Sequence, residues 1–293
     1  MSTTQNNILM EIAPRLVSVG GPVVHRLIPY AKKRMVGPFI FFDYFPATDF
    51  AAGQGIDVRP HPHIGLSTLS YLLEGHVLHH DSLGNKQVLS PGDVNWMTAG
   101  KGISHSERMP EELRDKAHRL HLLQFWVALP LKDEDTEPSF THHPQESIPR
   151  FQVNGADVVL VAGSAFDKKS PVNAYSPLFF MDVSLKKDQT FEYDPGTHEL
   201  AFYIIKGQLS VGEKKINPDD FVVLEKDSSL KVTATEDTRF VVLGGEAFPE
   251  PRHIYWNYVS SSKEKIESAK QQWRDGSFPQ VPGETDIIPL PAE

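Results

Sequence analysis

Cysteine is absent from the 293-residue chain. Without thiols the protein cannot form a disulfide bond, a zinc–thiolate site or a thiolate-bound iron–sulfur cluster, and it cannot use a cysteine nucleophile. The remaining composition, with 40% hydrophobic and 23% charged residues, is ordinary for a globular protein. The length predicts two domains of comparable size. Any metal in this protein must therefore be held without thiolate ligands.

Long apolar segments are absent as well. The longest, such as residues 39–42 and 158–162, are far too short to span a bilayer. The N-terminal sequence lacks the basic region and the apolar core of a secretory signal. We therefore expect no membrane association and a cytoplasmic location, with the nucleus as a second location if the source is eukaryotic.

Positive charge is scarce. The chain has 29 Lys and Arg residues against 38 Asp and Glu residues, which gives a net charge of −9 with neutral histidines. Proteins that grip nucleic acid usually present a basic face, and here the only basic run is residues 32–34, which we interpret as a solvated loop. We expect no direct contact with nucleic acid, so any role in transcription would act through a protein partner.

Short apolar segments recur between the 20 glycines and 23 prolines. Many short strands at close spacing favour an all-β sandwich or barrel. The segments with strand character are residues 67–73, 94–97, 120–129, 158–161, 179–185, 201–205, 221–224, 231–235 and 240–243. The clearest helical signal is residues 261–273, where Ser261 and Glu264 have the capping-box spacing and Gly276 follows as a stop.

An internal repeat predicts two related β domains. LSTLSYLLEGHVL in the first half matches LAFYIIKGQLSVG in the second, and each is followed by a hydrophobic-x-Pro-x-Asp turn that leads into another strand. The predicted boundaries are residues 1–135 and 145–293. Residues 136–144, in a polar stretch that carries Pro138 and Pro144, are the predicted linker.

Two residue pairs carry the strongest functional signal. His61 and His63 flank Pro62, and His105 and Glu107 flank Ser106. Side chains two apart on a strand point to the same face, so two facing strands would bring three imidazoles and one carboxylate to one point. Such a set suits a divalent transition metal such as iron, copper, nickel or zinc. The alternative for the first pair is a proline-kinked loop, which the complementary second pair disfavours.

These residues resemble the first and second motifs of the cupin superfamily. Gly55 precedes His61 by five residues and Gly75 closes the first motif, but Thr68 occupies the position of the usual glutamate. Glu107 in the second motif is its apparent replacement. That departure is typical of the pirin family, which the strings RPHPHIGLSTLSYLLEG and GDVNWMTAGKGISHSE resemble, as do the flanks FFDYF and WNYVSSSKEKIESAKQQW.

The resemblance implies two tandem cupin domains of jelly-roll type with a C-terminal helix. It implies a metal site in the N-terminal domain and a C-terminal domain without metal, since residues 193–196 hold no imidazole where the second copy would carry its His-x-His pair. The expected metal is Fe(II), with Cu, Ni, Mn, Co and Zn as alternatives. The implied metal ligands are His61, His63, His105 and Glu107.

Several pirins cleave the flavonol quercetin with dioxygen, so the resemblance implies a quercetin 2,3-dioxygenase-like enzyme that acts on a flat aromatic flavonol and O2. Glu107 would be its catalytic residue, as general base for the flavonol hydroxyl. The alternative is a non-catalytic, iron-binding redox sensor that regulates protein partners. A cupin isomerase acting on sugars or small acids is the third hypothesis, which Thr68 and the pirin-like flanks disfavour.

Other histidines and aromatic residues have structural interpretations. His79 and His80 are predicted at a solvated hairpin tip and His142–His143 in an exposed loop, whereas His121 is predicted in the core. Aromatic residues near the two motifs suit a flat substrate, but core packing is the favoured interpretation for most of them. These residues are Phe41, Phe42, Tyr44, Phe45 and Trp96.

Overall fold

Strands make up most of the regular structure. The computed structural model describes residues 4–5, 7–19 and 21–292. One α-helix, α1 (Lys263–Asp275), follows the strands, and short 3-10 turns occur at Glu111–Leu113, Leu131–Asp133 and Gln145–Ser147. The prediction of an all-β protein with a C-terminal helix is confirmed. In the described part of the chain, no helix has the length and apolar character needed to cross a bilayer.

The strands are numbered here in chain order. The first thirteen are β1 (Thr4–Gln5), β2 (Ile8–Ile12), β3 (Arg15–Ser18), β4 (Val23–Ile28), β5 (Phe39–Phe50), β6 (Asp57–His63), β7 (Leu66–Glu74), β8 (Val77–Asp81), β9 (Lys86–Leu89), β10 (Val94–Thr98), β11 (Ile103–Arg108), β12 (His118–Ala128) and β13 (Ser139–His143).

The remaining strands are β14 (Arg150–Val153), β15 (Ala156–Ala165), β16 (Lys168–Lys169), β17 (Leu178–Leu185), β18 (Thr190–Tyr193), β19 (Glu199–Lys206), β20 (Leu209–Val211), β21 (Lys214–Ile216), β22 (Phe221–Leu224), β23 (Ser228–Ala234), β24 (Thr238–Gly245), β25 (His253–Tyr255) and β26 (Tyr258–Ser260).

Two compact units form, and both are discontinuous along the chain. The histidine unit, named for the cluster of His61, His63 and His105, comprises Leu16–Val24, Phe42–Gln145 and the described residues from Pro249 onward. The second unit comprises the described residues up to Arg15, His25–Phe41 and Glu146–Phe248. The sequence-based boundaries treat each domain as one continuous segment, and they remain a proposal.

Two sheets carry the histidine unit. Within this unit, one sheet has the strand order β13-β10-β7-β12-β5 and the other the order β6-β11-β8-β9. Their apolar faces meet in a core that includes Leu72 and Leu122 from the first sheet and Val77 and Leu89 from the second. Buried and partly exposed side chains alternate along β8, as expected for a strand that faces the core with one side only.

The second unit repeats this organisation with its own sheets. An eight-stranded sheet has the order β14-β15-β17-β24-β19-β22-β2, with β16 paired to β15, and a five-stranded sheet has the order β1-β23-β20-β21, with β18 paired to β23. Its core is apolar and contains Phe191, Phe202 and Phe240 among its fully buried members.

The sequence repeat corresponds to equivalent hairpins in the two units. The first copy forms β7 and β8, and the second forms β19 and β20. Gly75 and Gly207 stand between the paired strands with φ of 84° and 85°. Residues with a side chain rarely adopt such values, which explains why both copies carry glycine at this turn.

The segment predicted as a linker contains a strand. β13 pairs antiparallel with β10, so that Asn95 lies opposite His142. The ring of Phe140 stacks on His79, with centroids 4.2 Å apart, and His142 Nδ1 lies 2.8 Å from Asn95 Oδ1. The prediction of an exposed loop for His142 and His143 is therefore wrong, because one face of this polar segment covers the edge of a sheet.

The C-terminal helix lies close to its predicted place. Its N-cap is Ser262, whose side chain accepts a hydrogen bond from Lys265 N, and Gly276 ends the helix in the left-handed conformation. The predicted cap, Ser261, instead donates its hydroxyl to Glu134 at 2.8 Å. The buried side of the helix includes the predicted stripe of Ile266, Ala269 and Trp273.

A buried ion pair attaches the C-terminal segment to the rest of the histidine unit. Arg252 Nε lies 3.1 Å from Glu134 Oε1, and the two side chains are 0% and 1% exposed. Arg252 also donates to Leu129 O, and Glu134 accepts from the backbone N–H of Ser261. These partners lie within the same unit, so the pair joins residues far apart in sequence.

We predict that Arg252→Met lowers the free energy of unfolding by about 3–5 kcal/mol, because it removes the buried counter-charge of the Glu134 carboxylate, which then keeps only the solvent-exposed Lys265 ammonium 3.6 Å away. Urea unfolding followed by circular dichroism measures the loss. The matched control is Arg119→Met, which removes an arginine from exposed ion pairs and should cost far less. A double variant with Glu134→Gln should recover part of the loss. Equal stability of the two single variants would contradict the prediction.

Candidate metal centre

Three of the four predicted ligands converge inside the histidine unit. β6 and β11 pair antiparallel, with His61 opposite His105 and His63 opposite Ile103. Each of the three histidines offers a ring nitrogen, and these nitrogens all lie within 4.8 Å of one another. All three side chains are buried. The two-residue spacing therefore brings the three imidazoles together as the sequence predicts.

Backbone carbonyls determine which nitrogen of two imidazoles carries the proton. His61 Nδ1 lies 2.9 Å from Arg59 O, and His63 Nδ1 lies 3.0 Å from Asn257 O. A carbonyl oxygen only accepts, so each ring must donate through Nδ1. The Nε2 atoms of both rings then carry lone pairs, and His63 Nε2 lies 3.1 Å from His105 Nε2.

The surroundings favour uncharged rings. Burial lowers the pKa of His61 to about 4, against a smaller opposing effect of its hydrogen bond to Arg59. Burial, reinforced by the neighbouring imidazoles, also lowers the pKa of His63 and of His105 well below the usual value. Neutral imidazole is the form that binds metal, so three converging lone pairs on neutral rings fit a divalent transition metal.

Glu107, the fourth predicted ligand, is not a member of the histidine group. It follows His105 by two residues, but the register between β11 and β6 shifts between these two positions. Burial raises the pKa of Glu107 to about 7, and a hydrogen bond with Ser70 opposes that shift. Its role as a ligand remains a proposal, and its carboxyl group can change protonation state near neutral pH.

A small cavity adjoins Glu107. It has room for about one water molecule and combines polar with aliphatic walls. Ser70 donates a hydrogen bond to Gln124 at 2.7 Å on one side of it. The cavity is lined by Ser70, Leu72, Val77, His79, Leu89, Asn95, Glu107, Leu122 and Gln124.

Sequence reasoning missed His79. It was predicted at a solvated hairpin tip, but its side chain is buried, with Nδ1 3.3 Å from His105 Nδ1 and Nε2 2.9 Å from Asp81 Oδ2. Burial alone would raise the pKa of Asp81, but hydrogen bonds from His79 and Asn85 lower it below its usual value. His79 and Asp81 have the same two-residue spacing as the predicted ligand pairs, and this signal could have identified them.

Aromatic rings surround the histidines. Trp126 meets His63 edge-on, with ring centroids 5.3 Å apart. His121 is buried, and its Nε2 shares a hydrogen bond with the hydroxyl of Tyr44 at 2.9 Å. Its predicted core position is confirmed. The aromatic residues near the motifs are buried, as core packing predicts, and they comprise Phe41, Phe42, Tyr44, Phe45 and Trp96.

The C-terminal segment, which begins at Pro249, also covers residues of β11 that alternate with His105 and Glu107. Ser104 donates to Pro279 O at 2.6 Å, and Ser106 donates to Glu284 Oε1 at 2.6 Å. Arg108 adds a bond from Nε to Glu284 Oε2 at 2.8 Å. These contacts hold the opposite face of the strand that carries His105.

Comparison with known proteins identifies related chains along nearly the whole length. Family models match in two places: Pirin over residues 22–127 and the Pirin C-terminal cupin domain over residues 180–279. A pirin-like protein of Caulobacter vibrioides is 43% identical over 283 residues, which covers 94% of this chain and 97% of that protein.

Two crystal structures of quercetin 2,3-dioxygenase from Acinetobacter baumannii have the same fold. One superposes with a TM-score of 0.91 at 32% identity and covers 98% of this chain and 96% of that one. The other has a TM-score of 0.88 at 26% identity and covers 96% of this chain and 99% of that one. These matches confirm the tandem cupin fold predicted from the sequence.

The depressed histidine pKa values predict acid-sensitive stability of the metal-free protein. Because the native pKa of His61 lies below its unfolded value of 6.5, its contribution is complete above pH 6.5 and is lost as the pH falls towards 4. The contribution of Glu107 to stability depends on pH in the opposite direction. Because its pKa is raised, this contribution is complete below pH 4.5 and is lost as the pH rises through 7. Comparison with a His61 variant separates the two effects.

We expect the difference in free energy of unfolding between the wild type and His61→Gln to decrease by about 3 kcal/mol when the pH is lowered from 7 to 4. Urea unfolding after chelator treatment measures it. The control is His76→Gln, which replaces an exposed histidine and should stay close to the wild type at both pH values. Parallel pH profiles for the wild type and His61→Gln would contradict the assignment of this effect to His61.

Proposed function

The chain belongs to the pirin family, and from this premise we propose that it is a metal-dependent dioxygenase that opens flavonols such as quercetin with O2. The observation that carries the proposal is the convergence of three neutral, buried imidazoles, and the strand that carries His105 also carries Glu107, a carboxyl group whose pKa is about 7. The quercetin 2,3-dioxygenases of Acinetobacter baumannii, which share the fold, support it.

The proposed ligands are His61, His63 and His105, with Glu107 as the fourth. Fe(II) is the proposed metal, and Cu, Ni, Mn, Co and Zn are the alternatives, since imidazole ligands do not select among them. When bound, the metal would supply Lewis acidity that favours a deprotonated flavonol, and open coordination positions for oxygenase chemistry.

Glu107 is the proposed general base. A carboxylate with a pKa near the working pH can take the proton of the flavonol hydroxyl and release it again after the reaction. The deprotonated flavonol then reacts with O2, the central ring opens, and one carbon leaves as carbon monoxide. Ser70 contacts Glu107 and donates to Gln124, so these side chains are placed to orient the carboxyl group.

The surrounding walls would exclude water from this chemistry. Trp126 meets the imidazole of His63 edge-on, and Phe140 lays its ring face against the imidazole of His79. The cavity beside Glu107 holds about one water molecule, so a flavonol needs its lining side chains to move apart. We therefore propose that substrate binding includes an opening of this lining.

The proposal is tested by oxygen uptake and carbon monoxide release with quercetin, after chelator treatment and reloading with each of the six metals in turn. Glu107→Gln should lower turnover about 10²- to 10⁴-fold, because the amide cannot accept the hydroxyl proton. Metal retention, measured by elemental analysis, should fall less than turnover does. The control, Glu112→Gln, changes an exposed residue of the same type and should keep wild-type turnover.

No oxygen uptake with any of the six metals would reject the dioxygenase proposal. Wild-type turnover by Glu107→Gln would reject the role of Glu107 while leaving the reaction in place. The two results are distinguishable because the metal series is measured on the wild type.

A further inference from the structure

His105 Nδ1, the ring nitrogen that does not face His63, has a different kind of hydrogen-bond partner from the Nδ1 atoms of His61 and His63. His61 and His63 donate their Nδ1 protons to backbone carbonyls, whereas His105 Nδ1 faces another imidazole nitrogen, His79 Nδ1, at 3.3 Å. A hydrogen bond between two imidazole nitrogens needs one donor and one acceptor. The contact by itself does not establish which ring donates.

Asp81 decides the direction of this hydrogen bond. Its carboxylate lies 2.9 Å from His79 Nε2, and an ionised carboxylate only accepts. A neutral His79 therefore carries its proton on Nε2 and presents a lone pair at Nδ1. His105 then donates from Nδ1, so its Nε2 lone pair faces the Nε2 lone pair of His63 at 3.1 Å, an arrangement without a shared proton that a cation held by both nitrogens would stabilise.

We propose that His79 and Asp81 are positioning residues that set the tautomer and ring orientation of His105 for a divalent metal. The pair does for His105 what the carbonyls of Arg59 and Asn257 do for the other two rings. The inference rests on the metal site proposed above and is independent of the flavonol reaction. Partners beyond the ligands commonly orient metal-binding imidazoles in this way.

The carboxylate is itself held firmly. Asp81 Oδ1 accepts from the backbone N–H groups of Leu83 and Asn85 at 2.9 and 3.1 Å, and Asn85 Nδ2 adds a bond to each carboxylate oxygen. Asp81 is fully buried. The ring of His79 stacks on Phe140 at an interplanar angle of 10°, which restricts its rotation. Both members of the pair therefore have one well-defined position.

The opposite arrangement would be unsuited to metal. If His79 donated from Nδ1, His105 would carry its proton on Nε2, pointing at His63. That proton would have to leave before His105 could bind a cation. The tautomers of His79 and His105 therefore distinguish the proposed role from a purely structural one.

The first test is nitrogen-15 NMR of the imidazoles in the chelator-treated wild type at neutral pH. We expect the Nε2–H tautomer for His79 and the Nδ1–H tautomer for His105. An Nδ1–H or doubly protonated His79 would overturn the proposal. This measurement uses the native protein, so it does not depend on any variant folding.

The second test is zinc affinity, measured by competition with a fluorescent chelator. His79→Phe keeps the stacked ring but removes both nitrogens, and we expect a loss of about 10- to 100-fold. His118→Phe is the matched control, because His118 also stacks on a phenylalanine, Phe50, but far less buried. Its affinity should equal that of the wild type.

Asp81→Asn adds a variant that retains an oxygen for the Leu83 and Asn85 amides while it offers His79 a donor instead of an acceptor. We expect it to weaken zinc binding as His79→Phe does. Affinity equal to that of His118→Phe in both variants would overturn the proposal. A wild type that binds no zinc or other divalent metal would instead reject the metal site itself, and the NMR result would still decide the tautomers.

Discussion

The candidate metal centre depends on the hydrogen bonds made by the outer nitrogens of its imidazoles. A buried imidazole with an unsatisfied N–H would be costly, and one with the wrong tautomer would present a proton where a lone pair is needed. Two carbonyl oxygens remove this ambiguity for His61 and His63. Because these acceptors belong to the backbone, the orientation of both rings is as rigid as the strands and turns around them.

The C-terminal segment is part of the metal centre rather than an appendage. It supplies the carbonyl of Asn257 to His63, and its Glu284 accepts from Ser106 and Arg108 on the other face of β11. The buried pair of Arg252 and Glu134 joins the segment to the same unit. Folding of this unit is therefore coupled to the shape of the site.

Local patterns in the sequence predicted much of this structure. The two-residue spacing of His61 and His63 placed the imidazoles on one face of a strand, and the repeat around Gly75 and Gly207 revealed the two related units. Both signals are local, since strand periodicity and turn chemistry involve neighbouring residues. The predicted C-terminal helix was nearly right for the same reason.

Long-range packing accounts for what the sequence did not reveal. The bond between His63 and Asn257 joins residues 194 positions apart, and no local pattern indicates it. His79 and His80 looked like a solvated turn because adjacent strand residues face opposite ways, yet burial of His79 is decided by Phe140 from a segment that resembled a linker. The position of the Glu107 carboxyl depends on an irregular register that periodicity does not encode.

The origin of the Asn257 carbonyl has a consequence for how the protein is made. Ribosomes synthesise the N-terminal half first, and domains generally begin to fold in that order. Here the imidazoles of the first half lack one of their fixed acceptors until residue 257 has been translated and has left the ribosome. Full assembly of the site therefore waits for residue 257, and nascent chains truncated before this residue would expose an incompletely oriented His63.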